Sequence, residues 1–305
     1  MPINIPDDLP AASILESEKI FVMNENRARH QDIRPLEILI LNLMPTKVET
    51  ETQLLRLLSN SPIQIDIDLL RTESYTSKHT SEDYLTHFYK TFDEIKDKKY
   101  DGMIITGAPL ENMSYEDVDY WPELCRIFDW SLTNSFSTMH ICWGALAGLY
   151  YHFGVPKHPL AKKISGIYAH EPLDYYHPLL RGFDDLFYMP HSRYMEIDEA
   201  DLSGDLQVLA SSPEAGAAII MSEKNKQIFV TGHLEYDTLT LAEEYQRDLQ
   251  RGLSPTIPEN YFPGNDVNSP PKKMWRSHAN MLFSNWLNYY VYQQTPYDLL
   301  KIGRS

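Results

Sequence analysis

Cysteine is nearly absent: Cys125 and Cys142 are the only two in 305 residues, too few for a disulfide framework in a chain of this length. Positive charge is also short, with 27 Lys and Arg against 43 Asp and Glu and a formal net charge of −16. That balance excludes a chain built to coat nucleic acid or to lie on an anionic membrane, both of which need a basic surface. It leaves open one small anionic ligand, which a few local cations can hold. No apolar run approaches the roughly 20 residues that span a bilayer. The opening "MPINIPDDLPAASILESEK" lacks the basic and then apolar stretches of a signal peptide, so a cytoplasmic location is expected. Eleven histidines include no H-x-x-x-H pair and no Cys/His cluster, so no metal is expected. Neither G-x-x-x-x-G-K-[ST] nor G-x-G-x-x-G occurs, which disfavours the nucleotide folds those loops build. Repeats and low-complexity tracts are missing too.

What is present is a large apolar fraction, 43%, and regular alternation of strand and helix patterns. The first 35 residues are polar and read as an irregular arm. "LEILILNLM" (36–44) is a near-continuous apolar run, the pattern of a strand buried on both faces. The segment after it sets Val48, Leu54, Leu57 and Leu58 near helical spacing. A half-buried strand (63–71), an amphipathic helix "SEDYLTHFYKTFDEIKD" and a strand with a tight loop (100–109) follow. Then come a helix "YWPELCRIFDWSLTN", a strand (136–142) and a helix closed by Gly154. Helices between strands predict an α/β fold with a doubly wound, mostly parallel sheet covered by helices on both faces. Five shorter strands come next. Two closing helices flank a Pro/Asn/Gly-rich loop (253–273). No linker interrupts the pattern, so residues 1–305 are expected to form a single domain.

The stretch "HICWGALAG" (140–148) puts Cys142 where a strand turns into a helix, with Gly144 and Ala145 leaving room for a tight turn. In open α/β sheets, ligands bind beyond the carboxyl ends of strands. A nucleophile on such a turn follows the logic of G-x-S-x-G, and a helix N-terminus favours a thiolate. The spacing alone also fits a buried, inert thiol. Cys125 reads as core, on a stripe with Trp121, Leu124, Phe128 and Leu132. His233 stands directly after an apolar strand in "IFVTGHLEYD". Glu235 lies two residues on, where an extended backbone points it the same way. Cys142, His233 and Glu235 then have the residue types of a nucleophile, a base and its orienting carboxylate. Alone, His-x-Glu is a weak signal, and a solvated surface pair is its commoner reading.

Together, "LNLMPTKVETETQLLRLL", "TGAPLE", "MHICWGALAGLYY", "GHLEYD", "WRSHANMLFSNWLNYYVYQ" and "TPYDL" resemble the homoserine O-acyltransferases of methionine biosynthesis. The resemblance covers nearly the whole chain and implies a class I glutamine amidotransferase-like fold. It implies an acyl-cysteine on Cys142, with His233 handling the proton and Glu235 steadying the imidazole. Lys163 in "AKKISGIY", Ser192 in "MPHSRY" and Arg247 in "YQRDL" match the family's substrate-contacting positions. Arginine suits the α-carboxylate of homoserine, which it can bind bidentately. Glu111 in "GAPLENM" matches the position at which the family separates acyl donors, and glutamate there resembles the acetyl-transferring type. The expected substrates are therefore L-homoserine and acetyl-CoA, with no further cofactor, and the expected assembly is a homodimer. Two alternatives follow from the same residues: succinyl transfer, and a Cys–His–Glu glutaminase. Amidotransferases usually carry G-x-C-x-G-x-Q, and here its outer places hold His140 and Leu146, which favours acyl transfer over amide hydrolysis. Lys47, in "MPTKVE" at a strand-to-helix turn, reads either as a contact for the phosphates of CoA or as a solvated lysine.

Overall fold

A computed structural model describes residues 34–74 and 80–303, together with the backbone of two short strands, Ile3–Ile5 (β1) and Val22–Asn24 (β2). These two strands pair in parallel, so the N-terminal arm is not wholly irregular as its polar sequence suggested. The rest of residues 1–33 lies outside the described residues.

Strand β3 (Leu36–Leu41) is the apolar run, and it is flanked on both sides by parallel partners, β4 (Ile65–Leu70) and β6 (Tyr100–Ile105). Its alternate side chains enter two cores. Ile38 and Ile40 join one with Trp275 and Trp286, while Leu39 and Leu41 join the other with Trp121 and Trp143. That is the two-residue period of a strand with no solvent face. The helix after β3, α1 (Lys47–Leu58), buries Leu54, Leu57 and Leu58, but Val48 is exposed, against the helical-stripe reading.

The expected long helix after β4 is broken. Helix α2 (Glu82–Phe88) is followed by a two-residue strand, β5 (Tyr89–Lys90), and a short helix, α3 (Phe92–Ile95). Pairing of Tyr89 and Lys90 with Leu69 and Leu70 of β4 sets the extended backbone there, and a Thr91–Glu94 capping box restarts the helix. Helix α4 (Trp121–Asn134), strand β7 (Ser135–Ile141) and helix α5 (Trp143–Phe153) follow as expected, α5 ending at Gly154 with φ of 69°. On α4 the Cys125 side chain is half-buried and Leu132 is exposed, so the core stripe is narrower than the sequence suggested.

The later strands are β8 (His158–Pro172), β9 (Phe187–Glu196), β10 (Leu206–Ser212), β11 (Gly216–Ser222) and β12 (Gln227–Val230). Helices α6 (Thr240–Gln250) and α7 (Arg276–Asn285) close the fold, and α7 runs on as a π-helix over Trp286–Tyr292. One ten-stranded sheet has the order β5-β4-β3-β6-β7-β12-β11-β10-β8-β9. It is parallel from β5 to β12 and antiparallel beyond. The chain moves outward from β3 to β5 and then returns across β3 to β6. That reversal is where a parallel sheet opens a crevice above its strand ends.

Candidate active site

Cys142 stands in that crevice. It is the last residue before α5, with φ of 51° and ψ of −118°, a conformation costly to any residue but glycine. The surroundings hold it there. Its N–H donates to the Val230 carbonyl at 2.7 Å, and its own carbonyl accepts from the N–H groups of Ala145 and Leu146. A Cβ at Gly144 would come within 2.6 Å of the Thr106 carbonyl oxygen, so α5 presses on the β6 loop in a way only glycine allows. A Cβ at Gly107, in that loop, would lie 3.3 Å from Cys142 Cβ. Strand end, strained residue and glycine contact give this turn the geometry that a nucleophile would need.

His233 reaches the same place from β12. It is 3% exposed, and its N–H donates to the Pro190 carbonyl. Residues 233–236 form a turn, not the extended backbone that the His-x-Glu spacing assumed. The pair forms regardless: His233 Nδ1 and Glu235 Oε1 are 2.6 Å apart, both side chains buried. The His233 ring stacks on Tyr236 with centroids 4.0 Å apart, and Cys142 is close enough to act on its charge. Burial disfavours the imidazolium. The negative charges of Cys142 and Glu235 outweigh it and hold His233 well above its ordinary range. A thiol, an imidazole and a carboxylate in series can form and discharge an acyl-thioester.

The other expected residues line the same cleft of about 540 Å³. Glu111 Oε2 accepts the Tyr194 N–H at 2.9 Å, so its carboxyl is fixed against β9 and does not swing in solvent. Burial raises its pKa, while the Tyr194 N–H, His233 and Lys163 pull the other way. Lys163 and Ser192 lie within β8 and β9. Lys163 Nζ is 3.2 Å from Asp248 Oδ2, and Arg247 Nη2 is 3.0 Å from Asp248 Oδ1. Ser192 Oγ donates to Glu244 Oε2 at 2.6 Å, and the Tyr236 hydroxyl to Glu244 Oε1 at 2.8 Å. Lys47 is not in the cleft. It is buried, its Nζ donates to the Asn42 carbonyl, and burial lowers it to about 8. A wider hollow of about 750 Å³ beside Tyr188 and Tyr261 has neither cysteine nor histidine in its lining. Among the described residues no three His, Cys, Asp or Glu side chains are grouped to hold a metal, and no helix is long and apolar enough to cross a membrane.

Sequence reasoning missed Glu244, Asp248, Tyr236 and Arg193. Arg193 is 2% exposed and gives its guanidinium to His191 Nδ1 and to the Met195 and Ala215 carbonyls. Glu244, Arg247 and Asp248 share one face of α6 at i, i+3 and i+4, a spacing readable once Arg247 was chosen.

The order of strands, with helices on both faces, defines an α/β fold of the glutamine amidotransferase type, and a buried Cys–His–Glu series stands at its strand ends. Solved structures agree on the fold: a glutamine amidotransferase from Thermotoga maritima aligns with TM-score 0.56 at 13% identity, over 83% of this chain and 97% of its own. A glutamine amidotransferase from Methylobacillus flagellatus gives 0.53 at 12%, over 84% and 95%. The chain belongs to the homoserine O-succinyltransferase family, whose profile matches residues 2–297. A homoserine O-acetyltransferase of Methanomassiliicoccus intestinalis is 83% identical over the full length of both chains. Those of Methanomethylophilus alvi and Acetivibrio thermocellus are each 58% identical, over 100% and 98% of this chain and 99% of each relative.

Proposed function

We propose that this chain is a homoserine O-acetyltransferase working by two successive acyl transfers. Cys142 sulfur attacks the thioester carbonyl of acetyl-CoA, the bond to the CoA sulfur breaks, and His233 returns a proton to the departing thiolate. The product, an acetyl-cysteine, is itself a thioester, so the acetyl group stays activated. Homoserine then enters, His233 takes the hydroxyl proton, and the oxygen attacks the acetyl carbonyl. Cys142 leaves as thiolate, and O-acetylhomoserine departs. Glu235 keeps Nδ1 protonated and steadies the imidazolium in both halves. Each tetrahedral oxyanion needs backbone donors. The Trp143 N–H, at the free first turn of α5, and one from residues 106–109 are suited to it. Arg247 and Lys163 receive the acceptor's carboxylate, with Ser192 beside them. No further cofactor enters this scheme. On the family resemblance alone, the assembly is a homodimer in the cytoplasm.

The observation that carries acetyl over succinyl is the fixed Glu111 carboxyl in the Cys142 cleft. A succinyl group would bring a second carboxylate towards it. At about 4 Å that repulsion is roughly 1 kcal/mol in water and about 4 kcal/mol at an effective dielectric near 20. Those figures correspond to roughly five- to a thousandfold in rate, before any loss of space. In competition, the wild type should prefer acetyl-CoA within that range, and Glu111→Gly should lose the preference and gain succinyl transfer. A wild type that prefers succinyl-CoA would overturn the acetyl assignment.

A further inference from the structure

Glu111 is held at both ends. The Tyr194 N–H fixes its carboxyl, and Lys157 fixes its backbone. Lys157 Nζ donates to the Glu111 carbonyl at 2.7 Å and to the Met113 carbonyl at 2.5 Å, and it stands 4.3 Å from the centre of the Tyr115 ring. One ammonium thus grips the loop after β6 at three residues. The loop has little hold on itself: residues 106–114 form neither helix nor strand. Its own backbone bonds run from the Leu110 N–H to the Ala108 carbonyl and from the Met113 N–H to the Leu110 carbonyl. Lys157 is in turn placed by α5. Only Val155 and Pro156 separate it from Gly154, where that helix closes, and Tyr150 of α5 stacks on Tyr115 with centroids 4.6 Å apart. The helix that starts from Cys142 therefore ends beside the lysine that holds Glu111.

We propose that Lys157 is a positioning residue for Glu111 and so helps decide which acyl donor reaches Cys142. This rests on the reading of Glu111 as the donor-selecting residue and goes beyond it by naming what keeps that carboxyl in place. Discrimination by charge needs a fixed distance. A Glu111 free to retreat would admit a succinyl carboxylate by a shift of the loop alone. The single N–H of Tyr194 fixes one carboxyl oxygen and leaves the backbone behind it to Lys157. Coulomb repulsion falls inversely with distance, so a retreat from about 4 to about 8 Å takes the square root of the preference. A preference of roughly a thousandfold becomes about thirtyfold, and one of roughly fivefold becomes about twofold. The rival role for Lys157 is general support of the loop. That role slows both donors alike, because the same loop carries the proposed oxyanion N–H.

The test reads the ratio of kcat/KM for acetyl-CoA over succinyl-CoA in the wild type, Lys157→Met, Glu111→Gly and the double variant. Methionine keeps the apolar stem of Lys157 and removes its N–H donors. Lys157→Met should shrink the ratio to about its square root, while KM for homoserine changes far less. In the double variant the ratio should equal that of Glu111→Gly, since a lysine that acts through Glu111 has nothing left to position. Lys157→Arg keeps the charge and several donors and should retain most of the wild-type ratio. If Lys157→Met gives no folded protein, Lys157→Gln takes its place, with a single amide in reach of the loop, and its ratio should likewise fall. An unchanged ratio in the folded Met or Gln variant, or a double variant that departs from Glu111→Gly, would overturn the proposal and leave the donor reading intact. A Glu111→Gly ratio equal to that of the wild type would instead overturn the donor reading, and the part of Lys157 with it.

Discussion

His170 has no exposed surface and belongs to a series of uncharged contacts. Its Nδ1 donates to the Tyr168 carbonyl at 2.9 Å, and its Nε2 lies 3.0 Å from Nε2 of His191. One proton serves that second contact, so charging either ring adds a proton with nowhere to go. Burial lowers His170 to about 4 and takes His191 well below its ordinary range. The unfolded imidazole binds its proton near pH 6.5, whereas the folded one resists until about 4. Its contribution to stability is therefore complete above pH 6.5 and is lost as the pH falls towards 4, about 3 kcal/mol in all. Urea unfolding from pH 7 down to 4.5 should show that loss, and His170→Asn should flatten the slope even if it is weaker at pH 7. An unchanged slope in the variant would contradict the assignment. Single residues divide by how far away their partners lie in the chain. Cys142 and His233 were legible because each ends a strand of the same parallel sheet, and Glu235 because it follows His233 closely. Glu244 and Asp248 were not, since Ser192 is 52 residues from one and Lys163 is 85 from the other.

At the scale of elements, the turn from β7 into α5 is the part most tightly constrained. A methyl group at Gly144 would meet the Thr106 and Ile105 carbonyl oxygens at 2.6 and 3.0 Å, both of them backbone atoms that cannot rotate away. Gly144→Ala should therefore cost about 1–3 kcal/mol by overpacking. It should also push Cys142 off the β6 loop, so that single-turnover acylation falls by more than the loss of folded protein explains. A variant that acylates at the wild-type rate would contradict this geometry. Most elements could be read from the sequence because apolar period and terminal signals agreed, as in α5 with its closing Gly154. The α2–β5–α3 segment could not. A helical pattern runs through Tyr89 and Lys90, but their pairing with β4 overrides it, and nothing local announces that pairing. The exposed Val48 is a similar case: it has helical spacing, but no neighbour among the described residues covers it.

For the whole molecule, a fold built from nearly all of the chain converges on one cleft. The loop after β6, the turn after β7, the turn after β12, two strands of the antiparallel half and α6 each bring a side chain there. The parallel half was legible as alternating strands and helices. The antiparallel half was legible only as separate short strands, because their order depends on pairings between distant segments such as β8 with β10. Family resemblance supplied Lys163, Ser192, Arg247 and Glu111, and the structure brings all four to the Cys142 cleft. The central claim is that Cys142 carries the acyl group between donor and acceptor. The direct test mixes the protein with acetyl-CoA alone, under single-turnover conditions, and maps any added mass to a peptide. One acetyl group should appear on Cys142, and homoserine should then remove it as O-acetylhomoserine. The other thiol, Cys125, is pushed up to about 11 by burial and by the nearby carboxylates of Asp129 and Glu116, and should remain unmodified. An acetyl group on Cys125, or transfer to homoserine with no adduct at any point, would contradict the claim.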